Sequence, residues 1–310
     1  MKTRSIAGPG PAADAQAIAP AAPSPTRPFY WSVRRELWEN RSIYLAPLGV
    51  AAFAVAGLVI HGITMPSHLP GMLAADPAAA GSATTTYRIA AILMLLTGFA
   101  TGAFYCLDAL SGERRDRSIL FWKSLPVSDL TTVLAKASMP LVVLPLLTFA
   151  AIVAMHLVML LLSAAALLVQ GGSAAALWRE VQPLRMWPAL LYAVGAIVLW
   201  HAPIHCFLLL VSGWARRTAA LWAVLPLLAI GVLEKLTMDT GRVPSLVQYR
   251  LLGWYEEAFV VRAPERVPLH PLTPLSPGRL LGTPGLWIGL ALAAVFLAAA
   301  VRLRRRREPI

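Results

Sequence analysis

Of the chain's 310 residues, 58% are hydrophobic and only 14% charged, well short of the roughly one quarter charged that water-soluble domains carry. That balance excludes an ordinary soluble globular protein and makes lipid the expected solvent. The formal charge of +12 would suggest nucleic acid if the basic residues formed a patch of their own, but they sit beside apolar blocks, so nucleic acid is not an expected partner.

Residues 1–28 are rich in Ala, Pro and Ser without apolar periodicity, so they lack the means to bury a core and read as a disordered tail. Prolines from Pro9 to Pro25 interrupt the continuous apolar run that a cleavable signal peptide requires. In residues 29–44 the character changes. Tyr30, Leu37 and Tyr44 recur every seven residues beside Trp31, Trp38 and Leu45, with Arg34, Arg35, Glu36, Glu39 and Arg41 between them. This pattern predicts an amphipathic helix lying in the headgroup layer; a plain charged lead-in to the first span is the alternative.

Six apolar blocks follow, at about residues 45–64, 89–107, 139–162, 187–211, 218–233 and 282–301. Each approaches the length of about 20 residues that crosses the hydrocarbon layer at 1.5 Å per residue. Each must be helical, because lipid offers no partner to an open backbone. Apolar character in the third block runs on to Val169, which is too short for two crossings and predicts one long or tilted helix. The fifth block is short, with Arg216, Arg217 and Lys235 placed to snorkel at its ends. The expected fold class is therefore an all-α integral membrane protein of six transmembrane helices, preceded by an N-terminal amphipathic "elbow" helix and ended by a basic tail at residues 302–310.

With six crossings, 18 of the 27 lysines and arginines fall on the side that carries both termini. The positive-inside rule makes that side cytoplasmic and implies a multi-pass protein of the bacterial inner membrane. The long loop at residues 234–281 then lies outside, and its stretch around Leu246 to Val261, with Trp254, Tyr255 and Phe259, reads as a surface or re-entrant helix.

Enzyme chemistry finds little support. No GxxxxGK[ST] phosphate loop occurs, and Cys106 and Cys206, both within apolar blocks, suggest neither a disulfide nor a zinc site. His201 and His205 stand four apart on one helix, but Ala202 occupies the position where HExxH carries its Glu. No metal or other cofactor is expected on this chain. His156, His201 and His205, with Pro203 between the last two, are nonetheless candidate pathway or bending residues, because ionisable groups at membrane depth are rare and a helical proline frees a carbonyl.

The informative segment is the predicted cytoplasmic loop at 108–136. Charged residues Glu113, Arg114, Arg115, Asp116 and Arg117 precede a short apolar turn through Phe121, Trp122 and Leu125, and Pro126 ends it. A new helix is predicted to start at Ser128, a capping residue, with Asp129 at its positive end. Such a turn suits either docking on a cytosolic protein or lying on headgroups.

The order Glu113, Ser118, Leu125-Pro126-Val127-Ser128 and Lys136 resembles the cytoplasmic loop of ABC-2 type transporter permeases, in which an acidic residue, a small residue, an LPxS turn and a Lys at the start of the third helix recur. The six-span layout, the elbow helix and the long external loop before the last span are similar too. The importer-type EAA-Gly pattern is absent, since Arg114 and Arg115 follow Glu113.

The resemblance implies a permease subunit of an ATP-binding cassette exporter, driven by a separate ATP-binding subunit that holds ATP and Mg, and paired with a second permease chain. It implies ATPase docking by Glu113, Arg114, Arg115, Asp116, Arg117, Ser118, Phe121, Trp122, Lys123, Leu125 and Pro126. The elbow, through Trp31, Arg34, Arg35, Leu37, Trp38 and Arg41, would pack beside them. Two other classes compete. An ion- or proton-coupled secondary transporter would use the three histidines as a relay, and a non-transporting membrane scaffold would bind partners without substrate-dependent ATP turnover.

Overall fold

The computed structural model describes residues 26–64, 77–116, 127–215, 218–260 and 273–306. Among the described residues the chain is all helical, with no strand beyond an isolated antiparallel bridge between Phe259 and Leu275. Helix α1 covers Thr26–Glu39 and α2 covers Ser42–Thr64; α3 is Pro77–Ala109 and α4 the short Ser111–Arg115. Helix α5, Asp129–Ser138, runs through a π-helical turn at Met139–Val143 into α6, Leu144–Val169. The remainder are α7 (Ala174–Val181), α8 (Pro183–Trp214), α9 (Ala219–Met238), α10 (Arg242–Ala258), α11 (Pro277–Gly282) and α12 (Pro284–Arg306).

Six of these segments are long and apolar enough to cross a membrane: Ser42–Ile60, Thr84–Arg115, Asp129–Val169, Ala174–Trp214, Ala219–Met238 and Pro284–Arg306. The chain is a multi-pass helical membrane protein. We refer to the crossings as spans 1 to 6, carried by α2, α3, α5–α6, α8, α9 and α12.

The boundaries follow local chemistry. Ser128 caps α5 as the sequence predicts, its hydroxyl accepting the Thr131 N–H at 3.0 Å. Span 3 is one helix, as its length demands. It stops where Gly171 turns left-handed at φ 76°, so that the Gly171 and Gly172 N–H groups return to the Leu168 and Leu167 carbonyls in a Schellman closure. Pro140 and Pro145 each remove an amide from the helical ladder around the π-helical turn.

The structure lengthens most elements relative to the sequence reading. Helix α1 begins at Thr26, span 2 extends from Pro77, span 4 runs from Pro183 to Trp214, and span 5 reaches Met238. Helix α7 was not foreseen; it packs on the N-terminal part of span 2, where the Thr84 hydroxyl donates to the Glu180 carbonyl. Span 6 continues to Arg306, so most of the expected basic tail is helix. The rest of the expected N-terminal tail, together with Arg216 and Arg217, lies outside the described residues.

Span 4 is the most enclosed helix and packs against spans 2, 3, 5 and 6, whereas spans 1 and 5 leave most of their surface bare. Their exposed faces, including Phe53, Ile60, Leu221, Leu225 and Leu228, suit lipid, which solvates apolar side chains as well as a core does. One apolar core gathers Tyr87, Met94, Ile152, Met159 and Trp200, with Phe259 from beyond α10. A second, toward the end of the bundle that carries α1 and the last turn of α12, gathers Ile43, Tyr105, Val133, Met139 and Val301. The end carrying α1 is called here the basic end.

Candidate functional site

Four segments far apart in sequence meet at the basic end around two buried carboxylates. Lys136, in the second turn of α5, places Nζ 2.8 Å from Glu36 Oε1 and 3.1 Å from Glu113 Oε1. Arg35 Nη2 lies 2.8 Å from Glu113 Oε1 and 2.9 Å from Glu36 Oε1. Arg304, from the last turn of α12, donates through Nη1 to Glu113 Oε2 and through Nε to Asp129 Oδ1 at 3.1 Å. The Tyr105 hydroxyl of span 2 donates to Glu36 Oε2 at 2.7 Å.

Three cations thus face the carboxylates of Glu36, Glu113 and Asp129, and the more exposed Glu39 also reaches Arg35 Nε at 3.3 Å. Glu36, Glu113, Lys136 and Arg304 are each buried. An unpaired charge there would be costly, so the cluster holds only because every member has a partner. Burial opposes the charged form of Arg35, yet the carboxylates of Glu36, Glu39 and Glu113 raise its pKa above the ordinary arginine value.

In the elbow helix this geometry buries the ionic face and leaves the aromatic face exposed. Tyr30, Trp31 and Trp38 are exposed, while Arg35 and Glu36 turn inward and Leu37 packs on the second core. Arg34 lies against both indoles, its Cζ 5.1 Å from the Trp31 ring centre and 4.5 Å from that of Trp38, a cation–π arrangement. Arg41 is exposed. A helix facing lipid on one side and an ionic core on the other inverts the soluble pattern of apolar-in and polar-out.

Two residues expected on a docking surface require correction. Glu113 is enclosed by its cations, and Arg114 is buried, donating from Nη2 to the backbone carbonyls of Ser212 and Ala215 at the end of span 4. Ser212 returns the contact, its hydroxyl accepting the Leu110 and Ser111 N–H groups at 3.0 Å each. Helix α4 is thereby tied to span 4 from both directions. Arg115 and Asp116, by contrast, are exposed, with Arg115 3.6 Å from Asp108 and 3.5 Å from Asp116. Arg117, Ser118, Phe121, Trp122, Lys123, Leu125 and Pro126 lie outside the described residues.

The histidines do not gather into one relay. His156 Nε2 pairs with the Tyr87 carbonyl at 3.1 Å. His201 pairs with the carbonyls of Ile197 and Leu251, both at 3.0 Å, and so pins α10 to span 4. His205 is buried with Phe99 against its ring, 5.4 Å between centres, and neither of its nitrogens completes a hydrogen bond. Pro203 is buried within an unbroken α8. Cys106 and Cys206 are buried and unpaired, and among the described residues no three His, Cys, Asp or Glu side chains gather to hold a metal.

No known protein family, curated protein or solved structure matches the chain. Sequence reasoning missed the inward roles of Glu36, Arg304, Tyr105 and Ser212. The available signal was one of position. Glu36, Glu113, Lys136 and Arg304 all border apolar blocks on the same predicted side of the membrane, where opposite charges have reason to meet. The arrangement binds α1, α4 and the basic ends of spans 2, 3, 4 and 6 into one node.

Proposed function

We propose that this chain is the membrane-spanning subunit of an ATP-binding cassette exporter of the ABC-2 type, resident in a bacterial inner membrane with its basic end in the cytoplasm. A separate subunit supplies ATP hydrolysis with Mg, and a second permease chain completes the pathway. One observation carries this reading. The segment between Asp116 and Val127 is anchored on both sides, by Glu113 and Arg114 before it and by Asp129 and Lys136 after it. Glu113 and Lys136, the acid and the lysine of the resembled motif, pair directly. A partner that grips this segment therefore pulls on spans 2, 3, 4 and 6 together, as coupling by a docked ATPase requires.

In this mechanism the permease contributes no catalytic residue. ATP shifts the helical bundle only by favouring one of its states over the other, and the node transmits that preference because it resists local deformation. Trp122 fills the ATPase cleft as a buried anchor with exposed Arg115 and Asp116 at its rim, following the usual division of binding energy between a central aromatic and polar surroundings. The Ala-, Leu- and Val-rich spans fit an apolar or amphipathic cargo.

The test is purification of the tagged chain from its native membrane, with ATPase activity and co-purifying subunits measured together. An ATP-binding subunit should elute with the chain, and Trp122→Ala should lower both its recovery and the ATPase activity about tenfold or more. Absence of any co-purifying ATPase, or full activity in the Trp122→Ala protein, would overturn the proposal.

A further inference from the structure

Away from the ionic node, spans 2, 3 and 4 enclose a half-open cleft of about 40 Å³. Its walls are mostly apolar, formed by Leu95, Phe99, Leu144, Val194, Ile197 and Val198, but two polar side chains also line it. Thr148 is 2% exposed and His205 6% exposed. Thr148 Oγ1 has no hydrogen-bond partner, and the carbonyls of His201 and Phe99 near the His205 ring do not meet hydrogen-bond geometry.

The cleft is built around these two groups. A Cβ on Gly98 would stand 2.9 Å from Thr148 Oγ1, and one on Gly102 would stand 3.0 Å from His205 Nε2 and 3.3 Å from Pro140. Glycine at these two positions lets the side chains of Thr148 and His205 lie close against the backbone of span 2. The glycines are one helical turn apart on span 2, and Thr148 lies against the first and His205 against the second. The π-helical turn Met139–Val143 and Pro145 shape the facing wall of span 3, and such π insertions concentrate at functional positions.

We propose that this cleft binds the uncharged hydroxyl head of an amphipathic alcohol, whose apolar tail extends out of its open side. Size and polarity agree on that class. The volume holds about three water-sized groups, enough for a hydroxyl and its first two methylenes. Apolar walls exclude a charged head that would find no counter-ion. A hydroxyl donates one hydrogen bond and accepts others, and both a threonine hydroxyl and a neutral imidazole can complement it in either sense. The inference needs no ATPase partner and stands or falls separately from the exporter proposal.

The experiment uses the full chain in lipid nanodiscs with a diazirine-bearing octanol as probe, its adducts located by mass spectrometry. Adducts are expected on Leu95, Phe99, Leu144 or Val198, and octanol should displace the probe about tenfold better than octane. Thr148→Val, which keeps the shape and removes the hydroxyl, should weaken labelling about tenfold, and His205→Leu should do the same. Thr97→Val, altering a hydroxyl that bonds the Leu93 carbonyl of its own helix, should label as the parent does. Equal competition by octane, undiminished labelling of Thr148→Val, or adducts only outside the cleft would each overturn the proposal.

Discussion

Lys136 Nζ sits 3.1 Å from Glu113 Oε1, with both side chains buried, so the start of span 3 is charge-locked to the segment that follows span 2. Because Lys136 also holds Glu36 and Arg304 also holds Glu113, no pair in this group is independent. Removing one partner strands the others. Glu113→Ala and Lys136→Met are each expected to cost about 3–5 kcal/mol. Glu113→Ala combined with Lys136→Met should cost less than the sum of the two single changes. Thermal denaturation in detergent, followed by loss of the monodisperse chromatographic peak, measures this. Strictly additive losses would show that the charges do not act as one network.

The tie between α4 and span 4 gives a second expectation. Ser212 Oγ accepts the buried N–H of Leu110 and the half-buried N–H of Ser111. Ser212→Ala leaves both without a partner, at about 1–3 kcal/mol for each. Hydrogen exchange at the Leu110 and Ser111 amides should accelerate while exchange in the middle of span 4 stays slow. Unchanged protection at those two amides would mean that Ser212 does not hold this junction.

How far the sequence carries can be judged from these same residues. The six spans were legible because hydrocarbon thickness imposes a length on each apolar block, and Ser128 was legible as a cap because capping is a local property. The orientation of α1 was not. Its aromatic residues read as a membrane-facing stripe in either case, but whether Arg35 and Glu36 meet headgroups or protein depends on Lys136 and Glu113, which are distant in sequence. Arg304 was counted among the charges that orient the last helix, and nothing local distinguishes it from exposed Arg305 and Arg306. The cleft had one readable sign, the small-residue spacing of Gly98 and Gly102, which marks close approach between membrane helices. That sign gives no clue that Thr148 and His205 are the groups that approach.

Topology supplies a third prediction. Helix α1 and the last turn of α12 share the basic end, whereas Arg250 of α10 reaches Gly285 at the start of span 6, which places α10 at the opposite end. Single cysteines at exposed Arg41 or Arg306 should react with an impermeant maleimide only from the cytoplasmic side, and one at exposed Glu256 only from the other. The native Cys106 and Cys206 are buried and should remain silent. Labelling of all three positions from one side would be incompatible with this arrangement.

The contact between α10 and span 6 is itself open to a sharper test. Arg250 Cζ lies 5.1 Å from the Trp200 ring centre, and its Nη1 donates to the Gly285 carbonyl at 3.0 Å. Its Nη2 occupies the space over Gly289, where an added Cβ would come within 1.6 Å. Two atoms cannot share that position, so Gly289→Ala must displace the guanidinium from Trp200 and from the Gly285 carbonyl, while His201 still holds α10 to span 4 through the Leu251 carbonyl. The expected cost is about 1–3 kcal/mol, typical of overpacking. If the clash is the cause, Arg250→Ala should remove it, and the double variant should be no less stable than Arg250→Ala alone. Stability in detergent and protease access to the segment between α10 and α11 would report both effects. Persistence of the Gly289→Ala defect in the double variant would place the disturbance elsewhere on span 6.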